Sequence, residues 1–148
     1  MMNVLISESA GNTETSVEIR CRKCDANVRN LQRHILSFDE RFACSSEYGT
    51  VYIRANEILY FEAVDNKTFL YTKDKSYEIQ MRLYELEGRL NDKDFFRCSK
   101  AIIVNVTKIE TLKPELTRNI LATLSNGEVI VISRRYGKAF KKLIYTEE

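Results

Sequence analysis

ILYFEAVDNKTFLYTKDKSYEIQ, residues 58–80, decides the fold. It holds three short runs rich in Ile, Tyr, Phe, Val and Thr, at 58–64, 68–72 and 76–80, divided by polar residues 65–67 and 73–75. β-branched and aromatic side chains suit a pleated, half-buried surface, so the runs predict strands. The polar KDK at 73–75 predicts a turn. The same texture continues outward from Arg41: RFACSS, TVYIR, FFRCS, AIIVNV, IETLK, NILATL and EVIVIS. In SNGE (125–128), Asn126-Gly127 is the strongest hairpin signal, because both residues tolerate positive φ. Strands at roughly 8–12-residue spacing predict a sandwich or barrel rather than βαβ units.

Three segments break this texture. In 25–38, Val28, Leu31, Ile35 and Phe38 recur at helical spacing, and Asp25 can cap the start. RLYELEGRL places Leu83, Leu86 and Leu90 on one helical face, and 135–145 does the same with Tyr136, Phe140, Leu143 and Ile144. SVEIRC (16–21) alternates Val17, Ile19 and Cys21, a short strand pattern. Residues 16–40 therefore predict a strand and a helix that form a small αβ appendage.

The chain has 148 residues, 44% hydrophobic and 30% charged, and suits one compact domain with a short appendage. Its fifteen aromatics, eight Tyr and seven Phe, can build a core without Trp. A net charge of +2 selects no partner class by itself, but its distribution is uneven. Residues 1–50 carry six basic and seven acidic residues; 51–148 carry seventeen and fourteen. A weakly charged protein can still hold a local basic patch, and the patch governs phosphate contacts. No apolar run approaches the ~20 residues of a membrane span, and MMNVLISESAG lacks the basic n-region of a signal peptide. The expectation is a cytoplasmic protein with reduced cysteines.

Little here can carry catalysis. CRKC (21–24) is a C-x-x-C pair, but a zinc site needs two further ligands. Only Cys44, Cys98 and His34 are available, and none forms a second close pair. A redox pair would need a thioredoxin-like βαβ pattern. Reduced thiols are the reading. His34, the sole histidine, lies at the edge of an apolar stripe with no marked nucleophile. Asp92/Asp94 and Glu147/Glu148 read as solvated surface. The five glycines form no phosphate loop. No catalytic residue, metal or cofactor is expected.

The remaining chemistry is cationic and polar, and it clusters at strand ends: DNKT (65–68), CSK (98–100) and SRR (133–135). Arg can donate two bonds to guanine O6 and N7, while Lys and hydroxyls anchor phosphates. Polar loops are also common without any such role. On these residues alone, three readings stand: a duplex DNA reader, a single-stranded nucleic-acid binder with aromatic stacking platforms, and a protein-interaction module whose basic loops meet an acidic partner.

Three blocks in order, ILYFEAV, FFRCSKAIIVNV with Ile109 four residues after Asn105, and SRRY, resemble the LytTR (LytR/AlgR-type) DNA-binding domain family from Val51 to Leu143. The resemblance implies a mainly β fold of about ten short antiparallel strands in three small sheets, with short helices. It places a small αβ extension in residues 1–45 and the DNA-binding domain in 46–148. It implies a bacterial transcription regulator whose loops, rather than a recognition helix, enter the major groove. Carried over by motif position, Thr68, with Asn66 and Lys67 beside it, meets a base edge. Ser99 and Lys100 meet the backbone. Arg135 enters the major groove flanked by Ser133, Arg134 and Tyr136, and Lys67, Arg134 and Lys138 join Ser99 and Lys100 in positioning the phosphates. Some members carry a histidine where Thr68 stands and His-x-Ser where Ser99-Lys100-Ala101 stands, so the target sequence is not inherited. Many members, response regulators, carry a phosphoacceptor domain of about 120 residues. This chain looks like the stand-alone branch without one. The family resemblance implies promoter direct repeats occupied by two copies, and members of that branch are often paired with a small membrane protein that restrains them.

Overall fold

A computed structural model describes residues 1–145 of the chain. Glu147 and Glu148, read above as a solvated terminus, lie outside the described residues. The first helix, α1 (Ala26–Asp39), starts where the Asp25 carboxylate accepts the Val28 N–H at 3.0 Å, satisfying one orphan donor of the first turn. Ten strands follow: β1 (Arg41–Ser46), β2 (Gly49–Arg54), β3 (Tyr60–Val64), β4 (Lys67–Tyr71), β5 (Ser76–Ile79), β6 (Phe95–Arg97), β7 (Ile102–Asn105), β8 (Ile109–Pro114), β9 (Ile120–Leu124) and β10 (Val129–Ile132). Helix α2 (Leu83–Arg89) separates β5 from β6, and α3 (Arg134–Tyr145) follows β10.

The strands form two sheets, not three. Seven run in the order β2-β1-β5-β4-β3-β7-β6 and three in the order β10-β9-β8, and every pairing is antiparallel. The difference lies at β5, whose outer edge would otherwise leave main-chain donors and acceptors unpaired. There β1 supplies the partner, Cys44 opposite Ile79 and Ser45 opposite Glu78, and fuses the first hairpin to the central meander. β1 straddles the expected boundary at residue 45, with Phe42 and Cys44 buried in the core.

SVEIRC is not a strand: residues 16–21 pair with nothing and Val17 is exposed. Alternation supplies one face of a strand, but a ladder also needs a neighbouring edge, and none is offered here.

Alternation along the central strands feeds two cores. Phe61, Leu70, Ile79 and Ile103 point to one face and pack with Phe42, Ile53, Phe95 and the α2 residues Leu83 and Leu86. Tyr60 and Val104 point to the other and pack with Ile120, Ala122, Leu124, Ile130 and Ile132 of the small sheet and Phe140 of α3. Between the sheets, the Tyr60 hydroxyl donates to Glu128 at 2.7 Å and Tyr71 to Glu62 at 3.0 Å, with the two rings stacked 4.3 Å apart. Burial and the adjacent carboxylates push the Tyr71 hydroxyl up to about 12 and Tyr60 further in the same direction.

α1 is held by the domain's own residues. Its stripe of Val28, Leu31 and Ile35 is half-buried, and the helix lies near the turn at 55–57. The Arg54 guanidinium lies 4.8 Å over the Phe38 ring. Ser37 donates to buried Asp94 at 3.3 Å, and His34 Nδ1 stands 3.6 Å from the same carboxylate. The lone histidine thus stands beside Asp94, and Asp94 is buried rather than solvated.

Candidate nucleic-acid interface

The three polar loops singled out in the sequence meet at one end of the large sheet. In the β3–β4 hairpin the tip is Asp65-Asn66, with φ of 51° and 65°. Positive φ at both central residues is the two-residue geometry whose twist matches the flanking strands, and short Asp and Asn side chains tolerate it. The β6–β7 connection, 98–101, lies directly beside it: the Ala63 N–H donates to the Ala101 carbonyl at 2.8 Å. The β10–α3 junction lies on the other side of that connection, where the Ser133 N–H donates to the Cys98 carbonyl at 2.9 Å. Two main-chain bonds therefore string together loops separated by more than thirty residues at each step. Each bond brings two backbones to hydrogen-bonding distance, so the three loops form one continuous row.

The individual side chains differ. Asn66, Lys67, Lys100, Arg134, Arg135 and Lys138 are exposed, and Ser99, Ser133 and Tyr136 are half-buried. Thr68 is not at the tip. It is the second residue of β4, opposite Ala63 and Ile79, and only 6% exposed. Ser99 Oγ accepts the Ala101 N–H at 3.3 Å, which shapes the connection and leaves the hydroxyl proton free to donate outward. The Arg135 guanidinium lies 5.7 Å over the Tyr136 ring, a contact that narrows the arginine's freedom.

The edge carries more basic than acidic side chains, Asp65 at the hairpin tip being the exception. The ion pairs among the described residues are Arg20–Glu18, His34–Asp94, Arg89–Glu40 and Arg97–Glu87, and none involves Lys67, Lys100, Arg134, Arg135 or Lys138. Concentrated positive charge at convergent loop ends is a site for a polyanion. Among the described residues no helix follows another without a strand between them, so this edge is not a helix-turn-helix.

Two supporting groups escaped the sequence reading. Arg97 donates through Nε to the Ser99 carbonyl at 2.8 Å, through Nη2 to the Lys100 carbonyl, and through Nη1 to Glu87. It braces the 99–101 connection from inside FFRC, where the sequence offered a motif position but no task. Asn119 accepts the Arg134 N–H at 2.9 Å from the β8–β9 turn. The available signal was TRN, a polar run between two apolar ones, like DNK.

The cysteines separate by burial. Burial pushes Cys44 up to about 11 and Cys98 up to about 12, whereas Cys21 and Cys24 are exposed and free. Thiolate is the reactive form. At pH 7.5, native protein is expected to take up two equivalents of iodoacetamide quickly and two more only after unfolding, as mass spectrometry would count. Rapid labelling of Cys98 in native protein would contradict the described packing of the 98–101 connection. Among the described residues no cluster of His, Cys, Asp or Glu is arranged to hold a metal, and no helix is long and apolar enough to cross a membrane.

Comparison with known proteins gives consistent matches. The family model described as "LytTr DNA-binding domain" matches residues 48–145. The transcriptional regulatory protein YpdB of Escherichia coli (strain K12) is 33% identical over 91 residues, 61% of this chain and 37% of that protein. The sensory transduction protein LytT of Bacillus subtilis (strain 168) is 25% identical over 124 residues, 84% of this chain and 52% of that protein. The chain thus spans about half or less of these two relatives. An uncharacterized HTH-type transcriptional regulator of Staphylococcus aureus (strain NCTC 8325 / PS 47) is 27% identical over 144 residues, 96% of this chain and 97% of that protein. Among solved structures, the LytTr DNA-binding domain of a putative methyl-accepting/DNA response regulator from Bacillus cereus superposes with a TM-score of 0.68 at 27% identity, over 72% of this chain and 97% of that one.

Proposed function

Because the chain belongs to the LytTr DNA-binding domain family, we propose that it is a transcription regulator that binds duplex DNA sequence-specifically through the loop edge described above. The observation that carries this reading is the pair of main-chain bonds, Ala63 to Ala101 and Ser133 to Cys98, that gathers on one edge three loops bearing Lys67, Lys100, Arg134 and Arg135, none of them in an ion pair among the described residues.

In this reading Arg135 donates to a base edge in the major groove, guanine O6 and N7 being the acceptors that its fork fits best. Asn66 and Lys67 make the second approach from the hairpin tip. Thr68, buried behind them, supports that tip and reaches a base only if the hairpin shifts. Ser99, Lys100, Arg134 and Lys138 position phosphates, with Ser133 and Tyr136 flanking the arginines. The function is binding alone, with no bond made or broken. Two copies on promoter direct repeats, a cytoplasmic location and restraint by a small membrane protein complete the proposal.

The test is enrichment of duplexes from a random pool, followed by affinity for the winner at two salt concentrations. Lys100→Ala is expected to weaken all duplexes alike and to flatten the salt dependence by about one unit, the signature of one lost phosphate contact. An unchanged slope would remove Lys100 from the footprint. Preference for single strands would replace the proposal with the stacking reading, and binding to no nucleic acid with the protein-interaction reading.

A further inference from the structure

We propose that the β8–β9 turn is a fourth element of the same edge: Asn119 holds the arginine pair in position and Arg118 adds a phosphate contact beside it. This rests on the duplex-binding reading and extends it to a segment that no motif marked.

The turn is closed by two main-chain bonds. The Arg118 N–H donates to the Glu115 carbonyl at 3.0 Å, and the Glu115 N–H donates to the Asn119 carbonyl at 2.9 Å. Arg118 itself has φ of 71°, in the left-handed region that an arginine occupies only when its surroundings require it. The turn lies against the start of α3: a Cβ added to Gly137 would sit 3.9 Å from the Arg118 carbonyl oxygen.

The link to the arginines is direct. Arg134 opens α3, so its N–H has no partner within the helix. Asn119 Oδ1 accepts it at 2.9 Å. The preceding N–H, that of Ser133, goes to Cys98. Consecutive amides are thus held from opposite sides, one by the 98–101 connection and one by the 115–119 turn. Removing Asn119 leaves the segment that presents Arg134 and Arg135 anchored on one side only. Asn119 is therefore a positioning residue, acting through the backbone of Arg134.

Arg118 is placed to act on its own account. It is exposed and takes part in no ion pair among the described residues, although Glu115 shares its turn. It adds a further positive charge next to Arg134, Arg135 and Lys138. A duplex seated on the arginines brings its backbone past this turn, and one more cation there releases one more counterion.

The experiment compares the full chain with Arg118→Gln, Asn119→Ala, Asn119→Ser and Arg135→Ala. Each is titrated with the enriched duplex and with copies carrying one altered base pair, at two salt concentrations. Arg118→Gln keeps a polar side chain, shorter than arginine's, and loses the charge. It is expected to bind every duplex about threefold more weakly with a salt slope shallower by about one, and to discriminate as the parent does. Asn119→Ala is expected to lose discrimination at the base pair where Arg135→Ala loses it and to keep it at base pairs addressed by the 65–67 tip. Asn119→Ser, which retains an oxygen acceptor, is expected to recover part of that discrimination. An even loss across all base pairs would mean only that less protein is folded, and would overturn the positioning role. Parental behaviour of both Arg118→Gln and Asn119→Ala, alongside a defective Arg135→Ala, would overturn the fourth element and leave duplex reading intact. Failure of the parent to enrich any duplex would remove the premise instead.

Discussion

Arg135→Ala is expected to bind the enriched duplex about 1–3 kcal/mol more weakly, with the loss concentrated at one base pair. Arg135 is exposed, has no ion-pair partner among the described residues, and stands on a segment fixed by main-chain bonds. Its stacking on Tyr136 spares part of the entropy that a free arginine would lose on docking. A planar fork reads two acceptors at once, and a lysine ammonium does not. Arg135→Lys should therefore restore the salt dependence without restoring discrimination. Titrations of both variants against duplexes altered at single base pairs decide the matter. Equal losses at every base pair would reduce Arg135 to a phosphate contact, and parental binding would end the assignment.

The second large effect is on folding. Phe140→Ala should cost about 3–5 kcal/mol, the range for emptying a fully buried aromatic site. Phe140 is 0% exposed, its ring lies 5.3 Å from that of Phe96, and it shares a core with Ile120, Leu124 and Ile132. It is also the main buried side chain by which α3 grips the sheets, since the other buried residue of that helix is Gly137. Urea unfolding should show the midpoint fall with the slope preserved. Amide exchange should rise along α3 before it rises in β3 and β7. Exchange that stays parental in α3 would show that the helix is held by something other than this ring.

These effects trace to features of unequal legibility. The helix at 26–39 could be read because its signals are local: a capping Asp25 and an apolar stripe within fourteen residues. The strands from Arg41 onward could be read for the same reason. Sheet number could not, because the Cys44–Ile79 pairing depends on which edges lie free after the meander forms. SVEIRC misleads in the opposite sense, since its pattern is local and its missing partner is not. The loop residues were legible as chemistry, but their gathering was not. That depends on the Ala63–Ala101 and Ser133–Cys98 bonds, which no local pattern encodes. Thr68 shows the limit of motif position: it occupies the expected place in the chain, yet strand alternation turns it inward beside Ile79. Asn119 was out of reach because its importance lies in the amide it serves.

Tyr60 next to Phe61, and Ile103 next to Val104, each send one side chain above the large sheet and one below it. Damage on either side of that sheet is therefore transmitted through the same two ribbons of backbone. The molecule has no expendable half: severing it between its layers would strand both, and the loop-bearing end would lose its footing with them.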